Sequence, residues 1–196
     1  INMPISKFLE LCPSLTREDT SKYTLADIEK EVKEVCNYID VAYPYSGKKM
    51  SSVYFNVRWG MDKTGTLGRC HRSNEMMYDL TFNPTYFKVS NPTEVHSTII
   101  HEVLHACKGG MKHTGNWKMM ANNCQYHLGI PVKRTGSDPK YTEVRNTTFK
   151  YYVECQACGW KGERRRKLTP NLKNIMNNNR RGNYCPTCKS KDLKVK

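Results

Sequence analysis

Residues 91–113 read Asn-Pro-Thr-Glu-Val-His-Ser-Thr-Ile-Ile-His-Glu-Val-Leu-His-Ala-Cys-Lys-Gly-Gly-Met-Lys-His. An Asn-Pro pair is typical of a helix N-terminus, and a Gly-Gly pair is typical of a helix end. The stretch therefore predicts a helix that begins at Asn91 and runs to about Cys107. His101 and His105 are four residues apart, so both imidazoles lie on one face of this helix and can reach a single ion.

The H-E-x-x-H pattern within this helix is typical of a catalytic zinc site. His101 and His105 would ligate the metal, and Glu102 would accept a proton from a water whose pKa zinc lowers toward about 7. His113, just past the glycine pair, is the predicted third ligand, and the fourth position stays open. The metzincin pattern places its third histidine six residues after the second, where this chain has Met111, so that class does not fit.

A second metal site is predicted near the C-terminus. Four of the nine cysteines form two C-x-x-C pairs separated by 26 residues, namely Cys155, Cys158, Cys185 and Cys188. Four thiolates fill a tetrahedral Zn²⁺ shell, and each pair suits a tight turn whose backbone amides bond the sulfurs. We therefore expect two zinc ions, one catalytic and one structural in a zinc ribbon. The odd number of cysteines and their spacing argue against a disulfide scaffold and favour a reducing compartment.

Charge is unevenly distributed along the chain. Residues 1–145 hold 19 Lys and Arg against 15 Asp and Glu, whereas residues 146–196 hold 13 against 3. This asymmetry predicts an anionic partner, with nucleic acid bound without sequence preference as the first choice and an acidic membrane surface as the second. A solvated basic loop has the same composition. The predicted contacts are basic residues and one aromatic residue for base stacking, namely Arg164, Arg165, Arg166, Lys167, Arg180, Arg181 and Trp160.

The rest of the sequence predicts an α+β fold. A helix begins at Thr24 and ends before Pro44, and another spans residues 116–128. Between them lie short strands, which the connections order as a three-stranded antiparallel meander, at residues 52–59, 66–71 and 76–82. We expect a small zincin-type metallopeptidase domain followed by a four-cysteine zinc ribbon. The predicted divisions are a leader at 1–22, the metallopeptidase domain at 23–135, a linker at 136–148 and the ribbon at 149–196.

The sequence contains no apolar run of membrane-spanning length, and residues 1–11 lack the pattern of a signal peptide. We expect a cytoplasmic protein without membrane contact, which would be associated with the nucleoid in a bacterium or lie in the host cytoplasm for a phage.

From Thr24 to the C-terminus the sequence resembles the SprT-like metallopeptidases, the family that includes Spartan. The resemblance rests on the H-E-x-x-H motif, on His113 with Trp117 four residues later, and on the terminal ribbon. The family pattern places glycine directly after the third histidine, whereas here Thr114 intervenes before Gly115. The resemblance implies a DNA-dependent protease that degrades proteins crosslinked or tightly bound to DNA, in DNA–protein crosslink repair, and that stays restrained until DNA engages it.

Three alternatives stay open. The chain could be a zinc peptidase that acts on a protein substrate without DNA, with a basic tail that recognises an acidic protein. It could be a DNA-binding zinc protein whose H-E-x-x-H site is structural or weakly active, or a zinc hydrolase of small amides. For the peptidase, we expect an extended substrate to pair with the edge of the strand at residues 76–82.

Overall fold

The computed structural model describes residues 4–44, 48–60, 65–136, 138–146, 151–164 and 184–195. The chain divides into two compact units, residues 1–142 and 143–196. Among the described residues, no helix is long and apolar enough to cross a membrane.

The first unit packs helices against a small sheet. Its elements are α1 (Ile5–Glu10), α2 (Leu25–Ala42), β1 (Tyr54–Trp59), β2 (Gly68–Arg72), β3 (Met77–Phe82), α3 (Pro84–Val89), α4 (Pro92–His105), α5 (Asn116–Leu128) and the start of α6 (Pro139–Asn146), with 3₁₀ turns at Pro13–Thr16 and Met50–Ser52. This mixture of helices and strands confirms the α+β class.

Helix α2 begins where the sequence predicts. The Asp27 backbone N–H donates to Thr24 Oγ1 at 3.2 Å, and the Thr24 N–H donates to the Asp27 carboxylate at 2.8 Å, which is a capping box. Ile28 and Ile39 on its inner face are fully buried. The apolar spacing in the sequence thus identifies the face that packs on the core.

The three strands do not form the antiparallel meander that we predicted from the short connections. Their order is β1-β3-β2, with β1 parallel to β3 and β2 antiparallel to it. The turn from β2 to β3 is tight, so these two strands pair directly, whereas β1 lies on the opposite side of β3 from β2. Each outer strand then lies against a different helix, β1 against α2 and β2 against α4.

Because β3 is central, its inward side chains Tyr78, Leu80 and Phe82 are buried. They lie in the same core as Ile99 and Leu104 of α4, which are fully buried. Helix α4 is therefore fixed by apolar packing on the side that does not carry His101.

Two segments outside the predicted metallopeptidase domain are also structured. In the predicted leader, Phe8 and Cys12 are buried in the core of the first unit, and the Phe8 ring stacks on His127 with centroids 4.2 Å apart. In the predicted linker, helix α6 buries Tyr141, whose hydroxyl accepts a hydrogen bond from Asn83 Nδ2 at 2.6 Å.

The second unit contains strands β4 (Tyr151–Cys155), β5 (Lys161–Arg164) and β6 (Leu193–Val195) in the antiparallel order β5-β4-β6. Its buried hydrophobic cluster consists, among the described residues, of Val153, Cys155, Cys185 and Leu193, with Trp160 packed against it. A core this small needs a further cross-link to be stable, since conformational entropy is hardly offset by such burial.

A buried ion pair joins α2 to α4 inside the first unit. His96 Nδ1 lies 2.9 Å from Glu31 Oε1, and His96 Nε2 lies 3.3 Å from the Arg17 carbonyl oxygen. Both partners only accept hydrogen bonds, so both ring nitrogens carry protons and His96 is an imidazolium. Burial acts to lower the pKa of His96, but the bond and charge of Glu31 outweigh it and raise that pKa. Tyr23 donates to the other Glu31 oxygen at 2.9 Å.

We expect Glu31→Gln to destabilise the protein by about 3–5 kcal/mol, because a buried charge loses its partner. The raised pKa of His96 adds stability that is fully present below about pH 6.5, the unperturbed histidine value. It is lost as pH rises through the folded-state pKa. Thermal unfolding between about pH 6 and pH 9 should show the largest difference from wild type at the acidic end. Glu29→Gln, the same change at an exposed position of α2, is the control. A Glu31→Gln effect that is the same at every pH would contradict the assignment.

Candidate metal centre

Helix α4 has the predicted N-terminus, and its C-terminus lies close to the predicted end. The Asn91 side chain accepts from the Thr93 N–H at 2.9 Å, Pro92 occupies the first turn, and the last helical residue is His105. Gly109 has a φ of 73°, which turns the chain back toward the helix. His113 is thereby brought over the face that carries His101 and His105.

The three predicted histidine ligands converge. His101 Nε2 lies 2.9 Å from His113 Nε2 and 3.2 Å from His105 Nε2, and each ring offers a ligand atom within 4.8 Å of the others. Zn–N bonds of about 2.0–2.1 Å in a tetrahedral shell place ligand nitrogens roughly 3.3 Å apart. The observed spacing therefore fits a zinc ion.

Backbone carbonyls fix the tautomer of two of these rings. His101 Nδ1 donates to the Lys133 carbonyl oxygen at 2.8 Å, and His105 Nδ1 donates to the Gly110 carbonyl oxygen at 2.7 Å. Each neutral ring then presents an unprotonated Nε2. Two such lone pairs 3.2 Å apart cannot bond each other, whereas a cation between them satisfies both.

The surroundings keep the rings neutral, which is the form that binds metal. The pKa of His101 is lowered to about 4, chiefly by burial and also by the neighbouring His105 and His113 rings, while the bond to Lys133 acts in the opposite direction. Burial also lowers the pKa of His105 and the pKa of His113. The donor set is therefore ready to bind a metal at neutral pH.

Trp117, in the first turn of α5, packs against all three imidazoles. Its ring centroid lies 4.9 Å from that of His101, 6.0 Å from His105 and 4.8 Å from His113. Gly115, at the N-cap of α5, has a φ of 54°. The glycine of the turn that orients Trp117 is therefore Gly115, one residue later than in the family pattern.

Glu102 lies beside the three histidines and is buried. Burial raises the pKa of its carboxyl to about 8, while the backbone N–H of Cys70 and the charge of Arg69 act in the opposite direction. A divalent cation nearby would also favour the carboxylate form. The residue is therefore placed to hold or release a proton near neutral pH.

Strand β2 passes so close to Glu102 that a side chain at residue 68 would force Glu102 or the strand to shift. A Cβ atom on Gly68 would lie 2.7 Å from Glu102 Oε1 and 2.8 Å from its Cγ. The sequence interpretation missed Gly68, as it missed the carbonyls of Lys133 and Gly110. No local signal reveals these contacts, because they arise only when separate elements pack together.

The edge strands of the sheet are β1 and β2, and not the strand that we predicted; β2 is the edge strand that lies against α4. Asn83 N–H donates to the Leu67 carbonyl, and Ser73 N–H donates to the Met77 carbonyl. Since antiparallel pairs alternate, the backbone groups of Gly68, Cys70 and Arg72 point away from β3. The prediction that a substrate docks at residues 76–82 was wrong, because β3 is the central strand and pairs on both sides.

A cavity of about 240 Å³ adjoins the histidine cluster. It lies between the start of β2, the outer face of α4 and the segment at 133–136. Its walls include Glu94, Thr98, His101 and Glu102. It is large enough for an amino-acid side chain and opens beside the residues that would carry out the chemistry.

The four cysteines of the second unit also converge. Cys155 Sγ lies 3.6 Å from Cys188 Sγ, and Cys158 Sγ lies 3.6 Å from Cys185 Sγ. Zn–S bonds of about 2.3 Å place tetrahedral sulfurs roughly 3.8 Å apart, so the cluster fits zinc. Each pair sits on a turn in which the residue after the second cysteine has a positive φ, 74° at Gly159 and 59° at Lys189.

The predicted nucleic-acid contacts are placed only in part. Trp160 is partly buried against the small core of the second unit, so its ring helps to pack that core. The backbone of Arg164 ends β5. The other predicted contacts lie outside the described residues, namely Arg165, Arg166, Lys167, Arg180 and Arg181.

Elemental analysis of the full chain, after dialysis against a weak chelator, should find two zinc ions per chain, one for each donor cluster. Exchanging His101 and His113 together for Gln should remove one of them, because two of three ligands are lost. Exchanging His71 and His127, which lie outside the cluster, should leave both. If the variant at His101 and His113 still binds two zinc ions, and circular dichroism shows that its fold is intact, the histidine site is refuted.

Comparison with known proteins agrees with this geometry. A search of curated proteins finds no significant match. The model of the SprT-like family matches residues 39–136, half of the chain. The matched segment includes β1 to β3, α4 with His101, Glu102 and His105, and the turn that carries His113. The chain therefore belongs to the SprT-like family, and its first unit is a zinc metallopeptidase-like domain.

Proposed function

We propose that this protein is a zinc-dependent endopeptidase that is activated by DNA and cleaves proteins bound or crosslinked to DNA. The peptidase activity in this proposal rests on one observation, the arrangement of the residues around the metal centre. Three converging imidazoles, the buried Glu102 carboxyl and the free edge of β2 lie together in the first unit.

The free edge of β2 supports a peptide as the substrate. The outward backbone groups of Gly68 and Arg72 can pair with an extended chain by main-chain hydrogen bonds, which read no side chain. The outward N–H of Cys70 already bonds the Glu102 carboxyl. The adjoining cavity would take one substrate side chain next to the scissile bond. An exposed strand edge suits a polypeptide better than a small amide.

Zinc held by His101, His105 and His113 would supply a Lewis acid and lower the pKa of water toward about 7. Glu102 takes the proton from the attacking water and later delivers it to the leaving amine. The low-polarity surroundings that raise the pKa of Glu102 make it a better proton acceptor than an exposed carboxylate. Gly68 lets the edge strand lie directly against Glu102, so a peptide paired with β2 would have its backbone near that carboxyl.

The proposed activation by DNA rests on the charge of the second unit and on the family resemblance. Residues 146–196 carry 13 basic and 3 acidic side chains, and a surplus of this size suits phosphate contacts without sequence preference. The four-cysteine cluster would fold this unit and hold its basic residues together. Coupling between DNA binding and cleavage is part of the proposal.

Glu102→Gln should lower cleavage of a histone by about 10²–10⁴-fold, because it removes the general base. The assay compares wild type, Glu102→Gln and Glu143→Gln, an exposed control, each with and without single-stranded DNA. We expect cleavage by wild type and by the control only with DNA. Cleavage that needs Glu102 but ignores DNA would remove the DNA switch. Equal rates for wild type and Glu102→Gln, with zinc bound, would leave a DNA-binding zinc protein.

Gly68→Ala should lower kcat/KM by about 10²-fold while zinc stays bound, because the added methyl group displaces Glu102 or the edge strand. Gly60→Ala is the matched control, since a Cβ there would lie 2.8 Å from Thr81 Cγ2 at the other side of the sheet. This control should keep its activity. Equal activity in both variants would show that β2 does not position Glu102.

A further inference from the structure

A second cavity, of about 520 Å³, lies at the far end of β2 from the first one. We call it the basic cavity, because Lys48, Lys49, Arg72 and Lys108 all line it. Glu75 is the one carboxylate among its lining residues. The predicted nucleic-acid contacts all lie in the second unit, so they do not account for this cluster.

Lys48 is fixed in the wall of the cavity. Its Nζ donates to the Ala106 carbonyl oxygen at 2.9 Å and to the Tyr78 hydroxyl at 3.0 Å, and it lies 4.5 Å from the Tyr78 ring centroid. The carbonyl and the hydroxyl position the ammonium group in the wall of the cavity. The protein thus holds a positive charge in place at the end of the edge strand.

The other three cations are exposed at the rim of the cavity. Lys49 and Lys108 make no side-chain hydrogen bond or ion pair with any residue that the structure describes. Arg72 pairs with Glu75 at 3.4 Å, but the two side chains are 46% and 89% exposed. An exposed pair of this kind contributes little energy, so Arg72 can exchange Glu75 for another anion.

This surplus of positive charge is local and not general. Residues 1–42, which include α1 and α2, hold 5 basic and 8 acidic side chains, whereas residues 43–142, the rest of the first unit, hold 13 and 6. The cations of the first unit are therefore concentrated in the part of the sequence that also builds the metal centre and β2. Such a distribution attracts a polyanion toward that part.

We propose that the basic cavity binds phosphate groups of a nucleic-acid strand, as a second DNA contact on the catalytic unit itself. The inference rests on the proposed function, in which the substrate protein is attached to DNA. Lysine ammonium groups on long, mobile side chains suit the repeated charges of a phosphodiester chain. Exposed Met76 and Met111 offer apolar area for sugars and bases beside the cations.

The position of the cavity gives it a role in cleavage. Gly68 and Arg72 are separated by four residues of extended strand, which is about 13 Å. A phosphate at Arg72 would therefore lie roughly one short strand from Glu102. The same unit could hold the DNA and the attached peptide at once, so that cleavage falls close to the point of attachment.

The test uses the full chain and a fluorescent oligothymidylate, with binding measured by anisotropy from about 50 to 200 mM salt. Lys49→Gln combined with Lys108→Gln should reduce the slope of log K against log salt by about 1.4, since each lost contact to a single strand is worth about 0.7. Lys30→Gln combined with Lys118→Gln removes the same charge from exposed positions outside the cavity and should keep the wild-type slope.

Other results would overturn the inference in distinguishable ways. If the wild-type protein does not bind the oligonucleotide, the proposed activation by DNA fails, and this inference fails with it. If wild type binds and the cavity variant keeps the wild-type slope, only the basic cavity is refuted as a DNA site. If, in that case, the cavity variant also cleaves an acidic peptide more slowly without DNA, the cavity binds substrate carboxylates.

Discussion

His101 Nε2 and His105 Nε2 face each other at 3.2 Å while their Nδ1 protons are donated to backbone carbonyls. Two lone pairs at this distance repel, and a cation shared with His113 is what makes the arrangement favourable. The carbonyls belong to Lys133 and Gly110, so one metal would tie α4 to the turn that follows it and to the segment beyond α5. The arrangement of the three histidines depends on this constraint.

Strand β2 is the second element that shapes this site. It occupies the edge of the sheet beside α4, and Gly68 lets it approach Glu102 more closely than any side chain would allow. The same strand connects two cavities, one beside His101 and one that ends at Arg72. Glu102, the outer edge of β2 and the basic cavity are therefore aligned along one short strand.

Local chemistry made part of this structure predictable. The Thr24–Asp27 cap, the Asn91-Pro92 start, and the spacing of His101, His105 and His113 act within a few turns of chain, and the structure confirms the elements they predict. The strand order could not be read in the same way, because it depends on which helix each strand packs against. The contact between Gly68 and Glu102 joins elements 34 residues apart in sequence and has no local signature. The DNA contacts of the second unit stay predictions from charge alone.

X-ray absorption at the zinc edge, on the full chain purified without added metal, tests the central claim most directly. The account predicts two ligand shells, one of nitrogen and oxygen at about 2.0–2.1 Å and one of sulfur at about 2.3 Å. Together, the two shells would correspond to one three-histidine site with an open position and one four-cysteine site. A spectrum that is described by sulfur ligands alone would show that the histidine cluster holds no zinc, and it would contradict the account.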